Sequence, residues 1–223
     1  DRAGIGTFVN TEYELTSSAL DIFSVPPVDA VMKEGRTVYY YPMNSISSEG
    51  PFEFIIPKDD ESWTLLPLTR LEGVLKIKKK DASVIADTEV ISVSNLFPQS
   101  IFKQIECELN GIQVCDLSTP TYAFKQFIEN HLTYSKAAKE THLENSLYHR
   151  DSIGKETVNT DENLGFKARR AILSENDWAF NFSNVLHSDF FQCNKALLPG
   201  VELKLKLIRN ADNFSLLGAS SLH

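Results

Sequence analysis

Long apolar runs are missing from this chain. No stretch approaches the ~18 to 20 consecutive apolar residues that a membrane-spanning helix needs. Cysteine is scarce: Cys107, Cys115 and Cys193 are the three in 223 residues. An odd trio does not make a disulfide framework. The expected state is buried or half-buried free thiol in a reducing compartment. A single Cys107–Cys115 bridge across neighbouring strands, or a thiolate nucleophile, is the alternative. Basic residues are outnumbered, 22 Lys and Arg against 30 Asp and Glu, for a net charge of −8. Non-specific nucleic-acid binding by the whole surface is thereby disfavoured. No secretory signal pattern opens the chain at Asp1, and the start without Met reads as trimmed or processed. Internal repeats, low-complexity tracts and an interdomain linker are also missing.

What is present is alternation. In Val201 to Arg209, Val201, Leu203, Leu205 and Leu207 fall on one side and Glu202, Lys204 and Lys206 on the other. A period of two marks a strand with one face on a core and one in water. Ala19 to Pro27, Thr37 to Met43, Pro51 to Pro57, Leu71 to Lys80, Val90 to Val93 and Trp178 to Phe182 read as further extended runs. Ser94 to Phe102 is apolar but irregular. Ile105 to Cys115 carries a hairpin signal, because Asn110-Gly111 is the preferred pair for a turn needing positive φ at both positions.

The period changes after Pro120, which suits a first helical turn with Thr119 as cap. Phe124, Phe127, Ile128 and Leu132 have the three-and-four spacing of an amphipathic helix. Ser135 to Tyr148 is a weaker helical stretch, with Leu143 and Leu147 on one face. His149 to Leu164 reads as a long surface loop. Eight or nine short strands around one helical excursion predict an all-β fold, an antiparallel two-sheet jelly-roll sandwich with a short helical insert around residues 120–148. A content of 42% hydrophobic and 23% charged residues supports one sizeable core over residues 1–223.

Residues able to carry chemistry are few and scattered. The five histidines contain no His-x-His pair. His187 and Asp189 flank Ser188, and Cys193 follows. A metal site there lacks further ligands, so a hydrogen-bonded structural His and Asp is the expectation. Ser188 beside His187 is a poor substitute for the Gly-x-Ser-x-Gly elbow of a hydrolase, which the chain lacks. Gly4 and Gly6 lack the strand, helix and spacing of a phosphate loop. Asp59, Asp60 and Glu61 sit in a polar loop and are expected to be solvated. Lys76, Lys78, Lys79 and Lys80 form a basic run that suits either an acidic partner or a charged face guarding a strand edge. Lys167, Arg169 and Arg170 are equally open. Tyr39, Tyr40 and Tyr41 are expected in the core or an interface rather than in a binding patch. The reading is of no catalytic, cofactor-binding or metal residues, and of no enzyme.

Four segments, in order, resemble one family. They are LDIFSVPP (20–27), FPQSIFKQIECELNGIQV (97–114), YAFKQFIENHLTYSKAAKETHLENSLYHRD (122–151) and LHSDFFQCNKALLPGVELKLKLIRNADNF (186–214). Together they resemble the double jelly-roll major capsid proteins of the Polinton (Maverick) and adintovirus group. The resemblance spans nearly the whole chain and matches the N-terminal jelly roll. It implies a structural capsid protein of a virion or virus-like transposon, synthesised in the reducing interior of the host cell. It also implies self-association as a homotrimer, a capsid lattice and contacts with other capsid proteins such as the penton, without a membrane span. Direct contact with nucleic acid is left open. The chain stops at His223, where the family continues into a second sandwich. The expectation is therefore a single jelly-roll domain, the first of two, with the second absent from this chain. A truncated or domesticated derivative that interacts with the full-length capsid protein fits as well, since a sheet short of a strand exposes an edge that another chain can fill. The alternatives are a jelly-roll module recognising glycan or a receptor through its end loops, and a cupin-like metal enzyme.

Overall fold

A computed structural model describes residues 34–44, 50–79, 81, 83–86, 89–115 and 120–218. The expected strand at Ala19 to Pro27, Gly4 and Gly6, Lys80 and Thr119 lie outside them. The chain divides into two units, Asp1–Tyr39 and Tyr40–His223. The architecture below is that of the second.

Among the described residues eight strands lie in three antiparallel sheets. Strands β1 (Phe52–Ile56), β4 (Phe102–Leu109), β5 (Ile112–Gln113) and β7 (Leu203–Arg209) form a four-stranded sheet in the order β1-β7-β4-β5. Strand β2 (Arg70–Lys76) pairs with β6 (Ala179–Val185), and β3 (Ile91–Val93) with β8 (Leu216–Gly218). Where two sheets are expected, the described strands thus make three ladders. The third arises because β3 and β8 are only three residues each, and they pair with one another alone.

The register of the large sheet explains its sequence. Phe52 lies opposite Leu207, which lies opposite Ile105; Phe54, Leu205 and Cys107 form the next row. Ile56, Leu203 and Leu109 form a third. These rows point into the core, where Leu203, Leu205, Leu207, Ile105 and Cys107 are buried. On the other face Glu53, Lys206 and Glu106 alternate in sign across the three strands, and Lys206 Nζ meets Glu106 Oε2 at 3.2 Å. Opposite charges on directly facing positions favour this register over a slip. One apolar cluster joins all three sheets, with Val93 from β3, Leu71 and Leu75 from β2, Phe180 from β6 and Leu216 from β8 packed with the rows above. The hairpin turn is as expected: Asn110 and Gly111 both have positive φ, 50° and 78°.

Several expected elements differ. Thr37 to Met43 contains no strand, and Tyr39, Tyr40 and Tyr41 are all exposed rather than in a core. Trp178 precedes β6 instead of belonging to it. Asp177 and Trp178 both take left-handed φ, near 54° and 56°, and the Trp178 carbonyl accepts from the Ile77 amide. The irregular segment after β3 contains a one-turn helix, α1 (Phe97–Ser100). The excursion at 120–148 is a twelve-residue helix, α2 (Tyr122–Thr133), then α3 (Lys136–Lys139) and a 3₁₀ turn at His142–Ser146. Pro120 stands outside α2, whose cap position is Thr121. A one-turn helix, α5 (Asp212–Ser215), precedes β8.

The helix α4 (Leu164–Glu175) lies where no element is expected. The preceding segment is not a free surface loop either, because it closes on the Asn163 cap. Asn163 Oδ1 accepts from the amides of Ser152 and Gly165, each at 3.1 Å, and of Phe166 at 3.5 Å. Three capping donors satisfied by one buried side chain pin both ends of the segment. Arg169, expected at the surface, is 1% exposed. Its guanidinium donates to Val93 O (2.8 Å), Asn95 Oδ1 (2.8 Å), His149 O (2.9 Å) and Asp151 Oδ1 (3.0 Å). Burial pulls its pKa down, and the Asp151 carboxylate opposes that. Gly165 lets α4 approach this knot. A Cβ there would stand 2.5 Å from Asp151 Oδ1, 2.7 Å from His149 O and 2.8 Å from Arg150 O.

Two substitutions test this docking by urea unfolding. Arg169→Ala takes the donor from Val93 O and Asp151 Oδ1 and leaves the half-buried Asp151 carboxylate without its counter-charge, and is expected to cost about 3–5 kcal/mol. Gly165→Ala forces backbone apart and is expected to cost about 1–3 kcal/mol. Lys76→Ala, which removes a solvent-exposed contact with Asp177, should leave the midpoint unchanged.

Candidate functional site

Three elements meet beside the β4–β5 hairpin. The hairpin supplies Cys107 and Cys115, α2 supplies Tyr122, Lys125 and Glu129, and the segment after β6 supplies His187, Ser188 and Asp189. One turn of helix separates Lys125 from Glu129, so both reach the same side. Lys125 Nζ lies 2.5 Å from Asp189 Oδ1 and 3.6 Å from Glu129 Oε1. Glu129 Oε2 lies 3.1 Å from His187 Nδ1. The result is a chain of alternating charge, Asp189–Lys125–Glu129, ending on a buried imidazole. The His187 amide donates to Tyr122 Oη at 3.5 Å. Burial holds the Tyr122 hydroxyl well above its ordinary pKa, so it stays neutral. A shallow pocket of ≈ 290 Å³ opens here, lined by Glu129, Thr133, Tyr134, His187 and Gln192.

This placement shows how the scattered residues are used. His187 and Asp189 take part in hydrogen-bonded pairs with α2, not with each other. Asp189 has a side chain 91% exposed, and Cys193 is exposed as well. Among the described residues no group of three or more His, Cys, Asp or Glu is placed to hold a metal ion. Ser188 Oγ faces Cys115 Sγ at 4.0 Å, while His187 turns toward Glu129, so these side chains do not form a Ser-His-Asp relay. Glu129 is the residue that sequence reasoning missed. Its position four after Lys125 was the available signal. The basic runs resolve similarly: Lys76 pairs with Asp177 at 2.7 Å, Lys79 with Glu89, and Arg170 with Asp161 at 3.1 Å.

The second notable surface is α2 itself, whose apolar stripe faces outward. Tyr122, Ala123, Gln126 and Asn130 are buried. Phe124, Phe127, Ile128 and Leu132 are exposed, Leu132 at 81%. The spacing of four predicts a stripe but not its direction. In the buried row Tyr122 Oη accepts from the His187 amide and Asn130 Nδ2 donates to Gln126 O of the same helix at 2.8 Å, while Gln126 Nε2 and Asn130 Oδ1 are buried with no protein partner. Outside, Phe124 packs edge-to-face on Phe214 with ring centroids 5.5 Å apart, and Phe127 lies over His131 at 4.4 Å. A contiguous exposed apolar row of this kind marks an interaction surface more often than a solvated one.

Burial holds the His187 imidazole below its ordinary pKa, against the opposing pull of Glu129. Burial also lowers His149, with the Arg169 charge adding to it. Both rings are neutral when folded, whereas an unfolded chain takes up their protons near pH 6.5. Their contribution to stability is therefore present above about pH 6.5 and lost as pH falls toward the depressed folded values. The urea midpoint is expected to drop between about pH 7.5 and about 5. His187→Gln should flatten that slope in part, leaving the share due to His149.

No family model and no solved structure matches this chain. It is 26% identical over 141 residues to an uncharacterized protein of Caenorhabditis elegans, a stretch that takes in 60% of this chain. The chain covers about a third of that protein's length, 33%. Among the described residues no helix is long and apolar enough to cross a membrane.

Proposed function

We propose that this chain is a shell-building subunit: the N-terminal jelly roll of a capsid-type protein, self-associating as a homotrimer. The observation that carries the reading is the nesting of its strands. The first described strand, β1, pairs with β7, and the second, β2, pairs with β6 in a different sheet. β4 then lies on the other side of β7. Two concentric antiparallel pairs in different sheets, β1–β7 and β2–β6, support a Greek-key winding, while the β3–β8 ladder falls outside that nesting. The four co-linear segments that resemble double jelly-roll capsid proteins support the same reading from the sequence.

The outward row of α2 supplies the lateral contact that such a role needs. Burying Phe124, Phe127, Ile128 and Leu132 against a neighbouring copy removes a large apolar area from water, at about 25 cal/mol per Å². The charged outer face of the β1-β7-β4 sheet is left to solvent. Contacts with the other capsid proteins and with packaged nucleic acid would be made by other surfaces. The virion is the corresponding location, after synthesis in a reducing host interior.

The test is the state of assembly of the whole gene product. Sedimentation at high concentration is expected to give a trimer, and electron microscopy ordered particles. Replacing Ile128 and Leu132 together by Glu should weaken association by about ten-fold or more, since each buried side chain is worth about 1.5–3 kcal/mol. A strictly monomeric protein that yields no particles, or one that binds a glycan array instead, would overturn the reading.

A further inference from the structure

Two thiols meet at the foot of the β4–β5 hairpin. Cys107 lies in β4, fully buried in the apolar row with Phe54 and Leu205. The Asn110-Gly111 turn brings the chain back, and the Val114 amide donates to the Cys107 carbonyl at 2.9 Å. Cys115 is therefore the residue immediately after the one facing Cys107. The Cys107 and Cys115 side chains hydrogen-bond each other. Both are free thiols, Cys107 buried and Cys115 half-exposed. Cys115 Sγ also has the Ser188 hydroxyl 4.0 Å away. Cys107 belongs to the core cluster and Cys115 packs against it, so the two side chains share one side of the hairpin.

The environments of the two sulfurs differ in the direction an exchange reaction needs. Cys107 keeps its proton: its bond to Cys115 and its burial both raise its pKa. Cys115 receives that bond, and its pKa is lowered to about 7 despite partial burial, with Ser188 adding a second favourable contact. The half-exposed sulfur is thus the one that carries negative charge near neutrality. The buried one is held beside it as a proton donor.

We propose that Cys107 and Cys115 form a reversible dithiol–disulfide site whose reagent is a low-molecular-weight disulfide, with Cys115 attacking and Cys107 resolving. In the first step the Cys115 thiolate attacks one sulfur of the reagent, RSSR. The Cys115–S–SR bond forms, the RS–SR bond breaks, and RS⁻ leaves. In the second step Cys107 gives its proton to RS⁻ or solvent and attacks the Cys115 sulfur. The Cys107–Cys115 bond forms and a second RS⁻ leaves. Two electrons pass from the protein dithiol to the reagent, which departs as two thiols. An excess of RSH reverses both steps.

The experiment uses the whole chain, reduced and freed of reductant, then exposed to excess oxidised glutathione near neutral pH and quenched in acid. Both cysteines lie on one tryptic peptide, after Lys103 and ending at Lys125, so mass spectrometry reads bridge and adduct together. The wild-type peptide is expected to lose two hydrogens and to regain them with reduced glutathione. Cys107→Ser should instead carry glutathione on Cys115. An unmodified wild-type peptide, or a lasting glutathione adduct on Cys115 with Cys107 still free, would overturn the proposal. A second measurement needs no variant: the rate of iodoacetamide labelling of Cys115 against pH. A thiol with a pKa near 7 is about half ionised at neutral pH, an ordinary one about 3%. Its weaker intrinsic nucleophilicity returns part of that gain, leaving about a three-fold faster reaction. A labelling midpoint near pH 7 supports the site, and one at or above about 8.5 overturns it.

Discussion

One guanidinium group organises the region between the strands. Arg169 is carried on α4, yet it bonds to the carbonyl of Val93 in β3, to Asn95 just beyond it, and to His149 and Asp151 on the segment leading to α4. A buried cation is tolerable only when its donors are matched and a counter-charge is near. Four acceptors, the Asp151 carboxylate among them, meet that condition. The Asn95 side chain completes the knot, its Nδ2 donating to Asp151 Oδ2 and its Oδ1 accepting from the His149 amide. Ser92 Oγ donates to Phe166 O, so β3 is tied to α4 at a further point. The geometry fixes the direction of α4, the path of the preceding segment and the position of β3 together. Packing of Phe166 and Leu173, both wholly buried, then follows.

The same economy appears around α2. The inner side of this helix mixes Tyr122 and Ala123 with Gln126 and Asn130, and its exposed row is apolar. Lys125 and Glu129 join it by charge to His187 and Asp189, and Tyr122 shares the core cluster with Leu186 and Phe191 of the same segment. A helix attached this way keeps its phenylalanine and leucine row for another surface. Its fit with a tiling role is a matter of economy: the fold uses the inner row, and the residues left over are adhesive.

Much of the β framework was legible because alternation carries direct physical information. In β7 the leucines at 203, 205 and 207 are inward, and between them Lys206 faces Glu53 and Glu106 on the two neighbouring strands, while Lys204 faces Glu108 on one and Ile55 on the other. Asn110-Gly111 specified its turn through positive φ alone. Reading failed where one side chain overrode the pattern. Arg169 breaks the apolar row of α4, so Gly165, Phe166 and Leu173 do not register as a face, and a basic residue at that spacing suggests surface. Phe124, Phe127, Ile128 and Leu132 gave the helix correctly, but not which side of it would pack. Val90 to Val93 reads as a strand and β3 lies there, but its partner β8 was not legible, because that pairing is a relation no local window contains. The cluster at Glu129 and His187 joins positions 58 residues apart, and only the fold brings them together.

The concentric strand order has a consequence for how the protein is made. Phe52 in β1 must wait for Leu207 in β7, roughly 150 positions later. At about 5–20 residues per second, a ribosome takes on the order of ten seconds to cover that distance. Through that interval phenylalanine-rich β1 lacks its β7 partner, and the local backbone contact among the described residues is the Met43 amide donating to Glu53 O. Nascent chains are therefore expected to be the vulnerable species, more so than the finished sheet. The proline on each side of β1, Pro51 and Pro57, then acts as a guard, keeping a short sticky segment from growing into a longer one while synthesis proceeds.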